Sequence, residues 1–190
     1  METKNSFTIS PAKVLLFGIK HSGKTSIGKM LSKKLGWPFS DLDDCIEMCT
    51  QEEAGVSIRD FFRAEERDRF FTIERSCLGT FLENRPAPWI LATGGGIIDN
   101  TAALELVPEG TVKVFLHNAP AILYERIIRK GLPPFMSADD PYGSFLSIYN
   151  SRTSRYRALA DIIVDRTDET KEESIATLVT LLKGYIDGGK

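Results

Sequence analysis

Short apolar runs alternate along the chain with longer stretches in which apolar residues recur at helical spacing. The apolar runs predict five strands, at residues 14–17, 37–39, 89–92, 112–116 and 162–164. The longer stretches predict helices, at residues 25–35, 57–83, 119–130 and 144–159. A last helix is predicted behind Thr167 and Asp168 because its apolar positions share one face: Ile175, Leu178, Val179 and Leu182. This alternation is typical of an α/β fold, a three-layer sandwich in which helices cover both faces of a five-stranded parallel sheet.

The length and composition indicate one ordinary globular domain spanning residues 1–190. The chain has 190 residues, of which 42% are apolar and 26% are charged, and its formal net charge is -2. This length is usual for a single domain with a full hydrophobic core. Because the chain has no basic excess, we expect no nucleic acid partner and favour a small-molecule substrate.

The remaining composition bears on location and on cysteine chemistry. Residues 1–13 are polar and lack the apolar stretch of a secretory signal, and no later window is long enough to span a bilayer. We therefore expect a cytoplasmic protein with no membrane partner. Three cysteines, Cys45, Cys49 and Cys77, argue against a disulfide framework, and no second pair or nearby histidine completes a zinc site.

The segment after the first predicted strand carries the strongest chemical signal. Residues 18–25, GIKHSGKT, fit the pattern G-x-x-x-x-G-K-[ST] between a predicted strand and a predicted helix. In this pattern glycines let the backbone wrap around phosphate, amides at the helix start bind the anion, and the lysine adds positive charge. We therefore expect an ATP or GTP site. The alternative is a glycine-rich turn with an exposed lysine.

The nucleotide interpretation gives two side chains of this segment specific roles. Lys24 is expected to hold the β- and γ-phosphates during catalysis. The hydroxyl of Thr25 is placed to coordinate Mg²⁺, which prefers hard oxygen ligands. The candidate nucleotide-binding residues of the segment are Gly18, His21, Ser22, Gly23, Lys24, Thr25 and Ser26.

The stretch PFSDLDDCIE supplies candidate carboxylates after the second predicted strand. Asp41 and Asp43 alternate as strand-end residues do, so both are expected to face one way at the carboxyl edge of the sheet. Asp41 is a candidate Mg²⁺ ligand through water, and Asp43 is a candidate base for an acceptor hydroxyl. The alternative is that Asp41, Asp43 or Asp44 only caps the following helix.

A third strand end is unusually rich in glycine. In the stretch ILATGGGIID, Thr93 is followed by three consecutive glycines, Gly94, Gly95 and Gly96. Without side chains there, a ligand can lie against the backbone amides at the same edge as Asp41 and Asp43. The alternative is a tight connection that binds no ligand.

Together these motifs resemble those of the shikimate kinases. The shared features are the phosphate loop, the D-x-D of residues 41–43, the TGGG strand end and a late R-x-x-x-Y at Arg152, and the similarity runs from about Val14 to Asp165. The resemblance implies a P-loop kinase fold with a mobile lid at approximately residues 129–150. It also implies ATP-dependent phosphorylation of the shikimate hydroxyl in aromatic amino acid biosynthesis, with ATP and Mg²⁺ as cofactors, by a monomer.

The resemblance also assigns site residues. Asp41 supports the metal with Thr25, and Arg126 flanks the adenine. The acceptor is held by Asp43, Gly94, Gly95, Gly96 and Arg152. A carboxylate acceptor suits the planar guanidinium of Arg152, which offers two parallel donors. The alternative is that Arg152 and Arg155 are ordinary solvated positions of a helix.

Three departures from the family pattern fall on expected contacts. His21 stands where the family usually has glycine. Phe71 stands where a carboxylate-binding arginine is expected, and Arg67, one helical turn earlier, is a candidate to reach the acceptor instead. The lid segment 132–135 is LPPF where the family has R-P-L-L, so Arg129 or Lys130 is a candidate for the missing cation.

These departures leave three functional interpretations. The first is shikimate phosphorylation with both arginine roles relocated. The second is a sister kinase that acts on another small polyhydroxylated molecule, and Phe71 supports it. The third is a non-catalytic nucleotide-binding module, which the lid supports and which Lys24, Thr25, Asp41 and Asp43 argue against.

Overall fold

A computed structural model of the chain describes residues 9–54, 67–129, 131–133 and 136–188. Five strands lie within these ranges: β1 (Lys13–Phe17), β2 (Phe39–Asp41), β3 (Trp89–Ala92), β4 (Val112–His117) and β5 (Ile162–Asp165). Seven helices lie within the same ranges: α1 (Lys24–Leu35), α2 (Leu42–Ala54), α3 (Arg67–Asn84), α4 (Thr101–Leu104), α5 (Pro120–Ile128), α6 (Pro141–Leu159) and α7 (Lys171–Asp187). A 3₁₀ turn, Ile97–Asp99, follows β3.

The strands form one parallel sheet in the order β2-β3-β1-β4-β5. Strand β1 is central, with β3 on one side and β4 on the other. In an open parallel sheet, ligands bind outside the carboxyl ends of the strands, where the strand order reverses. The segments that follow β1, β2 and β3 therefore meet at one edge of the sheet. The five parallel strands confirm the predicted α/β fold.

Successive residues of β1 enter two separate hydrophobic cores. Leu15 and Phe17 pack among apolar residues of α2, α3, α5 and α6. Val14 and Leu16 pack among those of α1 and α7 on the opposite face. Because side chains alternate along a strand, burial of both faces requires a continuous apolar run. The three-layer arrangement explains why β1 is apolar at consecutive positions.

The second strand begins two residues later than predicted. Trp37 is buried, but it lies before the strand and packs in the core beneath α1 and α7. Pro38 has no N–H to donate, although its carbonyl accepts a hydrogen bond from Ile90 N at 2.9 Å. The strand is therefore Phe39–Asp41. The apolar character of Trp37 indicated burial and not strand structure.

Several helix boundaries also differ from the prediction. The bounds of helix α2 were not predicted, although the capping alternative for Asp41, Asp43 or Asp44 assumes a helix there. Of the helix predicted at residues 57–83, the part before Arg67 lies outside the described residues. Helix α6 begins three residues earlier than predicted, because Asp140 caps it by accepting from Gly143 N at 2.9 Å. Helix α7 begins at Lys171, behind a capping box that was not foreseen.

Part of the segment predicted as a lid has regular structure. Residues 141–150 of the predicted lid, 129–150, belong to α6. Residues 130, 134 and 135 of it lie outside the described part of the chain. No helix of the described part is both long and apolar enough to cross a membrane.

Candidate active site

The phosphate-binding segment joins β1 to α1 through a tight loop. Gly23 precedes the helix with φ 94°, in the left-handed region where glycine carries no steric penalty. His21 also has a positive φ, 64°, in the left-handed region that favours glycine. Its carbonyl accepts a hydrogen bond from Arg126 Nη1 at 3.1 Å, which stabilises the turn. The loop therefore keeps its shape despite the histidine.

Lys24 is enclosed by its own loop. Its Nζ donates to the carbonyl oxygens of Gly18 at 2.9 Å and Ile19 at 3.3 Å, and the residue is only 8% exposed. Burial lowers the pKa of Lys24 to about 8, although the carboxylates of Asp43 and Asp41 oppose that shift. The alternative of a turn with an exposed lysine is therefore wrong.

Thr25 and Asp41 bring two oxygen ligands together. Thr25 Oγ1 donates to Asp41 Oδ2 at 2.6 Å, across the gap between α1 and the end of β2. Asp41 Oδ1 accepts from Asp43 N at 3.1 Å, so Asp41 also caps α2, as the alternative interpretation stated. A hydroxyl and a mostly buried carboxylate are hard donors that suit Mg²⁺, so this pair fits the metal. Ser26 is half-buried beside Thr25 in the first turn of α1.

Asp43 lies in the first turn of α2 and not at a strand end. The predicted alternation with Asp41 is therefore wrong, because β2 ends at Asp41 and the helix begins at Leu42. Asp43 nevertheless faces the glycine-rich strand end: its Oδ1 is 2.9 Å from where a β-carbon on Gly94 would stand. Burial raises the pKa of Asp43, while the positive charge of Lys24 opposes the shift.

The three glycines after Thr93 lie against three different groups of the site. A β-carbon on Gly94 would crowd the Asp43 carboxylate, and one on Gly95 would lie 2.7 Å from Lys20 N in the phosphate loop. One on Gly96 would lie 3.3 Å from Arg152 Nη2. The segment therefore contacts the phosphate loop, the candidate base and the candidate carboxylate-binding arginine.

Arg152 projects from α6 and is fixed by its neighbours. Its Nε donates to Asp99 Oδ2 at 3.0 Å, and its Nη2 lies 2.7 Å from the same oxygen. Its Nη1 donates to the carbonyl of Gly95 at 3.3 Å. The alternative of a solvated helix position is therefore wrong for Arg152. Arg155 is more exposed but also donates to Asp99, at 2.8 Å.

Arg67 approaches the same carboxylate from α3. Its Nη2 is 3.9 Å from Asp99 Oδ2, and its guanidinium carbon is 5.1 Å from the centroid of the Phe71 ring. The aromatic ring at position 71 thus contacts Arg67 by a cation–π interaction. Arg67 is 67% exposed, so the ion pair is solvated.

Glu74 is a functional candidate that sequence reasoning missed. It is 1% exposed, on the α3 face that also carries Phe70 and Ile73, and its Oε2 accepts from Asn100 Nδ2 at 2.9 Å. Its Oε1 would be 3.3 Å from a β-carbon on Gly94, close to Asp43. Burial raises the pKa of Glu74 to about 7. The available signal was a carboxylate at an apolar position of a helix.

Two further side chains support the phosphate loop and were also missed. Asn118 accepts from Arg126 Nη1 at 3.2 Å and donates to the carbonyl of Ser22 at 3.3 Å. Arg166 is buried after β5 and donates to the same carbonyl. No local pattern identifies them, because both contacts join residues distant in sequence.

Of the two candidate cations of the lid, Arg129 and Lys130, Arg129 lies within the described residues. Arg129 is exposed and forms an ion pair with Glu125 on the same helix face. Lys130 lies outside the described residues. Leu132 and Pro133, at the start of the altered lid sequence, are described, and neither carries a charge.

The chain is similar to known proteins over most of its length. A family model described as shikimate kinase matches residues 20–183. A shikimate kinase of Macrococcus caseolyticus is 31% identical over 158 residues, which cover 83% of this chain and 89% of that protein. A shikimate kinase of Marinomonas sp. is 29% identical over 171 residues, which cover 90% of this chain and 91% of that protein.

A solved structure gives the same result. The shikimate kinase from Acinetobacter baumannii in complex with shikimate superposes with a TM-score of 0.78 and 25% sequence identity. The match covers 91% of this chain and 93% of that chain. The similarity therefore extends over nearly the whole fold.

Proposed function

The chain belongs to the shikimate kinase family, and from that premise we propose that it transfers the γ-phosphoryl group of ATP to a hydroxyl of shikimate, giving shikimate 3-phosphate and ADP. The family consists of phosphotransferases that act on a hydroxyl group and use ATP. One observation carries the proposal for this chain. Asp43 and Arg152 border Gly94 and Gly96, the phosphate loop borders Gly95 through the backbone of Lys20, and the charge of Lys24 acts on Asp43.

ATP binds along the loop between β1 and α1 in this proposal. Backbone amides of residues 18–26 surround the phosphates, and the Lys24 ammonium moves from its carbonyl partners to the β- and γ-phosphates. Arg126 lies against the loop beside Asn118 and flanks the adenine. The supporting observation is the enclosed position of Lys24, since its present partners are weak competitors for a charged phosphate.

Thr25 and Asp41 hold Mg²⁺ in this proposal. Support comes from their direct hydrogen bond, because two hard oxygens already lie together at the helix start. Bound there, the ion would neutralise charge on the phosphates.

Asp43 receives the proton of the acceptor hydroxyl. As that oxygen bonds to the γ-phosphorus, its proton passes to the Asp43 carboxylate and the bond to the β–γ bridging oxygen breaks, releasing ADP. Burial raises the pKa of Asp43, which makes its carboxylate a better base than a solvated aspartate. Lys24, nearby, favours the ionised form that is needed before transfer.

The acceptor lies against Gly94, Gly95 and Gly96, with its carboxylate toward Arg152 and Arg67. The supporting observation is that both arginines approach one carboxylate, that of Asp99, from different helices. Arg67 thereby takes the part of the arginine that Phe71 replaces. Arg129 is the candidate to supply the cation of the lid, where developing charge on the transferred group has to be balanced.

The remaining parts of the proposal concern the whole molecule. Residues 1–190 form one kinase domain that acts as a monomer in the cytoplasm. The predicted lid, residues 129–150, is restricted to the part before α6, because Phe145 and Tyr149 of that helix are buried in the core. The formal net charge of -2 and the absence of a basic excess argue against a nucleic acid partner.

A second candidate function is phosphorylation of a different small polyhydroxylated molecule. Phe71 favours it, because an aromatic ring at this position suits an acceptor with less need for a carboxylate clamp. The altered lid sequence at residues 132–135 is the one argument for the non-catalytic interpretation, and the presence of Lys24, Thr25, Asp41 and Asp43 argues against it.

A coupled assay of ADP release tests the proposal. Wild-type protein should turn over ATP with shikimate at a rate well above that with quinate or gluconate. Asp43→Asn should lower turnover by at least about a hundredfold while the dissociation constant of ATP stays nearly unchanged, because the amide cannot accept the proton. Turnover with another polyol and none with shikimate would instead establish the second candidate.

A further inference from the structure

Asp99 has a position in the acceptor site that the function above does not explain. It ends the 3₁₀ turn that follows the three glycines. Arg152 binds its Oδ2, Arg155 binds its Oδ1 at 2.8 Å, and Arg67 lies 3.9 Å from Oδ2. Three guanidinium groups from two helices therefore share one carboxylate, and the cluster carries excess positive charge.

The hydrogen bonds of Arg152 determine which of its donors remain for a ligand. A guanidinium has five N–H groups in a fixed plane. Among the described residues, Nε donates to Asp99 Oδ2, Nη2 lies 2.7 Å from the same oxygen, and Nη1 donates to the carbonyl of Gly95. Each terminal nitrogen carries two N–H groups, so one N–H remains on each. These two N–H groups, the free edge of Arg152, can each donate a hydrogen bond to a carboxylate.

Arg155 adds a second cation beside that edge. It lies three residues after Arg152, so both side chains project from one face of α6. Besides Asp99, Arg155 donates to the carbonyl of Ile98, which anchors it over the turn that follows the glycines. Its partner Asp99 is mostly buried, with 16% of its side chain exposed, so this ion pair is less screened than a surface pair.

We propose that Asp99 is the positioning residue of a three-arginine acceptor clamp, in which Arg155 and Arg67 together replace the arginine that Phe71 displaces. Asp99 orients the free edge of Arg152 toward the acceptor and keeps two further cations within reach of the same acid group. The ligand class is a small hydroxylated carboxylic acid, bound through its carboxylate. This inference rests on the proposed function and names the residues that make the acceptor site specific for a carboxylic acid.

Two further carboxyl groups, those of Asp43 and Glu74, border Gly94. Glu74 is close enough to Arg152 and Asp99 for their charges to act on its pKa, but burial is the larger cause and raises that pKa, which favours the neutral form. Lys24 is opposite Asp43, and Glu74 binds Asn100. The acid group of the acceptor therefore meets the arginine side of the site, and its hydroxyls meet the carboxylate side.

Acceptor kinetics of Asp99→Asn test the proposal. The variant keeps the shape of the side chain but loses the charge that fixes Arg152 and Arg155. Its Michaelis constant for shikimate should rise on the order of tenfold, while that for ATP changes less than about twofold. Arg155→Ala should act in the same direction. The double variant should be less impaired than the product of both effects, because the two residues share one network.

A neutral acceptor separates a clamp for the acid from general damage to the site. The methyl ester of shikimate lacks the anionic group, so Asp99→Asn should leave its Michaelis constant unchanged. The ratio of the two constants, ester over acid, should therefore fall in the variant. If the Michaelis constants for the acid and the ester rose equally in Asp99→Asn, the proposal would be overturned. It would also be overturned if the Michaelis constant for the acid equalled that of the wild-type protein.

Two controls distinguish loss of the clamp from loss of helix charge and from unfolding. Arg157→Ala removes an exposed arginine of the same helix that points elsewhere, and it should leave the acid and ester constants unchanged. The thermal midpoint and ADP affinity of Asp99→Asn, measured without acceptor, show whether the variant is folded. Inactivity of the wild-type protein toward shikimate would overturn the proposed function and this inference with it, whereas unchanged kinetics of Asp99→Asn would overturn the inference alone.

Discussion

The hydroxyl of Thr25 donates a 2.6 Å hydrogen bond to the carboxylate of Asp41. Thr25 lies in the first turn of α1, which follows β1, and Asp41 is the last residue of β2. Both oxygens have lone pairs that this hydrogen bond does not use. A divalent cation could therefore bind to both oxygens in place of the hydrogen bond. The requirement for a metal can therefore be tested by removing the Thr25 hydroxyl and an Asp41 carboxylate oxygen separately.

Thr25→Val should raise the Mg²⁺ concentration needed for half-maximal activity by roughly tenfold, because valine keeps the shape of threonine and removes its oxygen. Thr25→Ser retains the hydroxyl and is the matched control. Asp41→Asn should act like Thr25→Val while retaining the cap of α2, since asparagine is also a good capping residue. Initial rates across a Mg²⁺ titration at fixed ATP measure the effect. An unchanged midpoint in Thr25→Val would exclude this hydroxyl as a ligand.

Lys24 should take up a proton when ATP binds at about pH 8 to 8.5. Burial lowers its pKa to about 8 in the free protein, so part of the population is neutral there, and bound phosphates favour the charged form. Calorimetry in buffers of different ionisation enthalpy measures the uptake. Lys24→Met should abolish both the uptake and phosphoryl transfer, whereas Lys29→Met, an exposed lysine of the same helix, should change neither.

The same shift predicts how stability depends on pH. The folded pKa of Lys24, about 8, lies below its ordinary value of 10.5, so the unfolded chain binds more protons between these two values. The Lys24 contribution to the free energy of unfolding therefore rises with pH across that window. Lys24→Met should lack this part of the rise in urea titrations of the protein without nucleotide. A slope equal to that of wild type would show that Lys24 is not the responsible group.

The phosphate loop and the glycine-rich segment were predictable because their signals are local. Glycine and lysine spacing between a strand and a helix identifies a phosphate loop without knowledge of the rest of the fold. The position of Asp43 was harder to predict. Its assignment to a strand end depended on the start of β2, which buried Trp37 made ambiguous.

The clamp around Asp99 could not be found in the sequence. Asp99, Arg67 and Arg155 lie on three separate elements, and only packing of α3 and α6 against the turn after β3 brings them together. Glu74 was similarly hidden, since a carboxylate within a helix is usually exposed. Its burial results from contacts with Asn100 and the strand end near Gly94. Long-range packing determines both groups.

Glu74→Gln should be more stable than wild type at pH 8. Burial raises the pKa of Glu74 to about 7 from an ordinary value of 4.5, so the folded protein binds more protons between these values. The Glu74 contribution to the free energy of unfolding therefore falls as pH rises from 4.5 to 7. The shift corresponds to at most about 3 kcal/mol at pH 8.

The expected difference between Glu74→Gln and wild type should shrink as pH falls from 7 and vanish below pH 4.5, where the carboxyl is protonated in both the folded and the unfolded chain. Glutamine keeps an acceptor for Asn100 Nδ2, so that buried donor retains its partner. Urea titrations at several pH values between 5 and 8 measure the difference. A constant difference at every pH would mean that the ionisation of Glu74 is not its cause.

The pair formed by Arg67 and Phe71 distinguishes shikimate from another acceptor. If shikimate is the acceptor, its enclosed carboxylate needs cations, and loss of one charge-assisted hydrogen bond is worth about 1.5 to 3 kcal/mol. Arg67→Ala should therefore raise the Michaelis constant for shikimate by on the order of tenfold, with that for ATP hardly changed. Arg75→Ala, an exposed arginine of the same helix, should leave both constants as they are.

Substitution of Phe71 tests the same relationship from the other side. The ring lies 5.1 Å from the guanidinium carbon of Arg67, so Phe71→Leu should weaken shikimate binding slightly by loosening that arginine. In the Arg67→Ala background, Phe71→Arg should partly restore the Michaelis constant, because its donor lies one helical turn away on the same face. If wild-type protein ignores shikimate and Phe71→Arg alone creates that activity, the site has evolved for another acceptor, since the remaining residues of the site would then already suffice for catalysis.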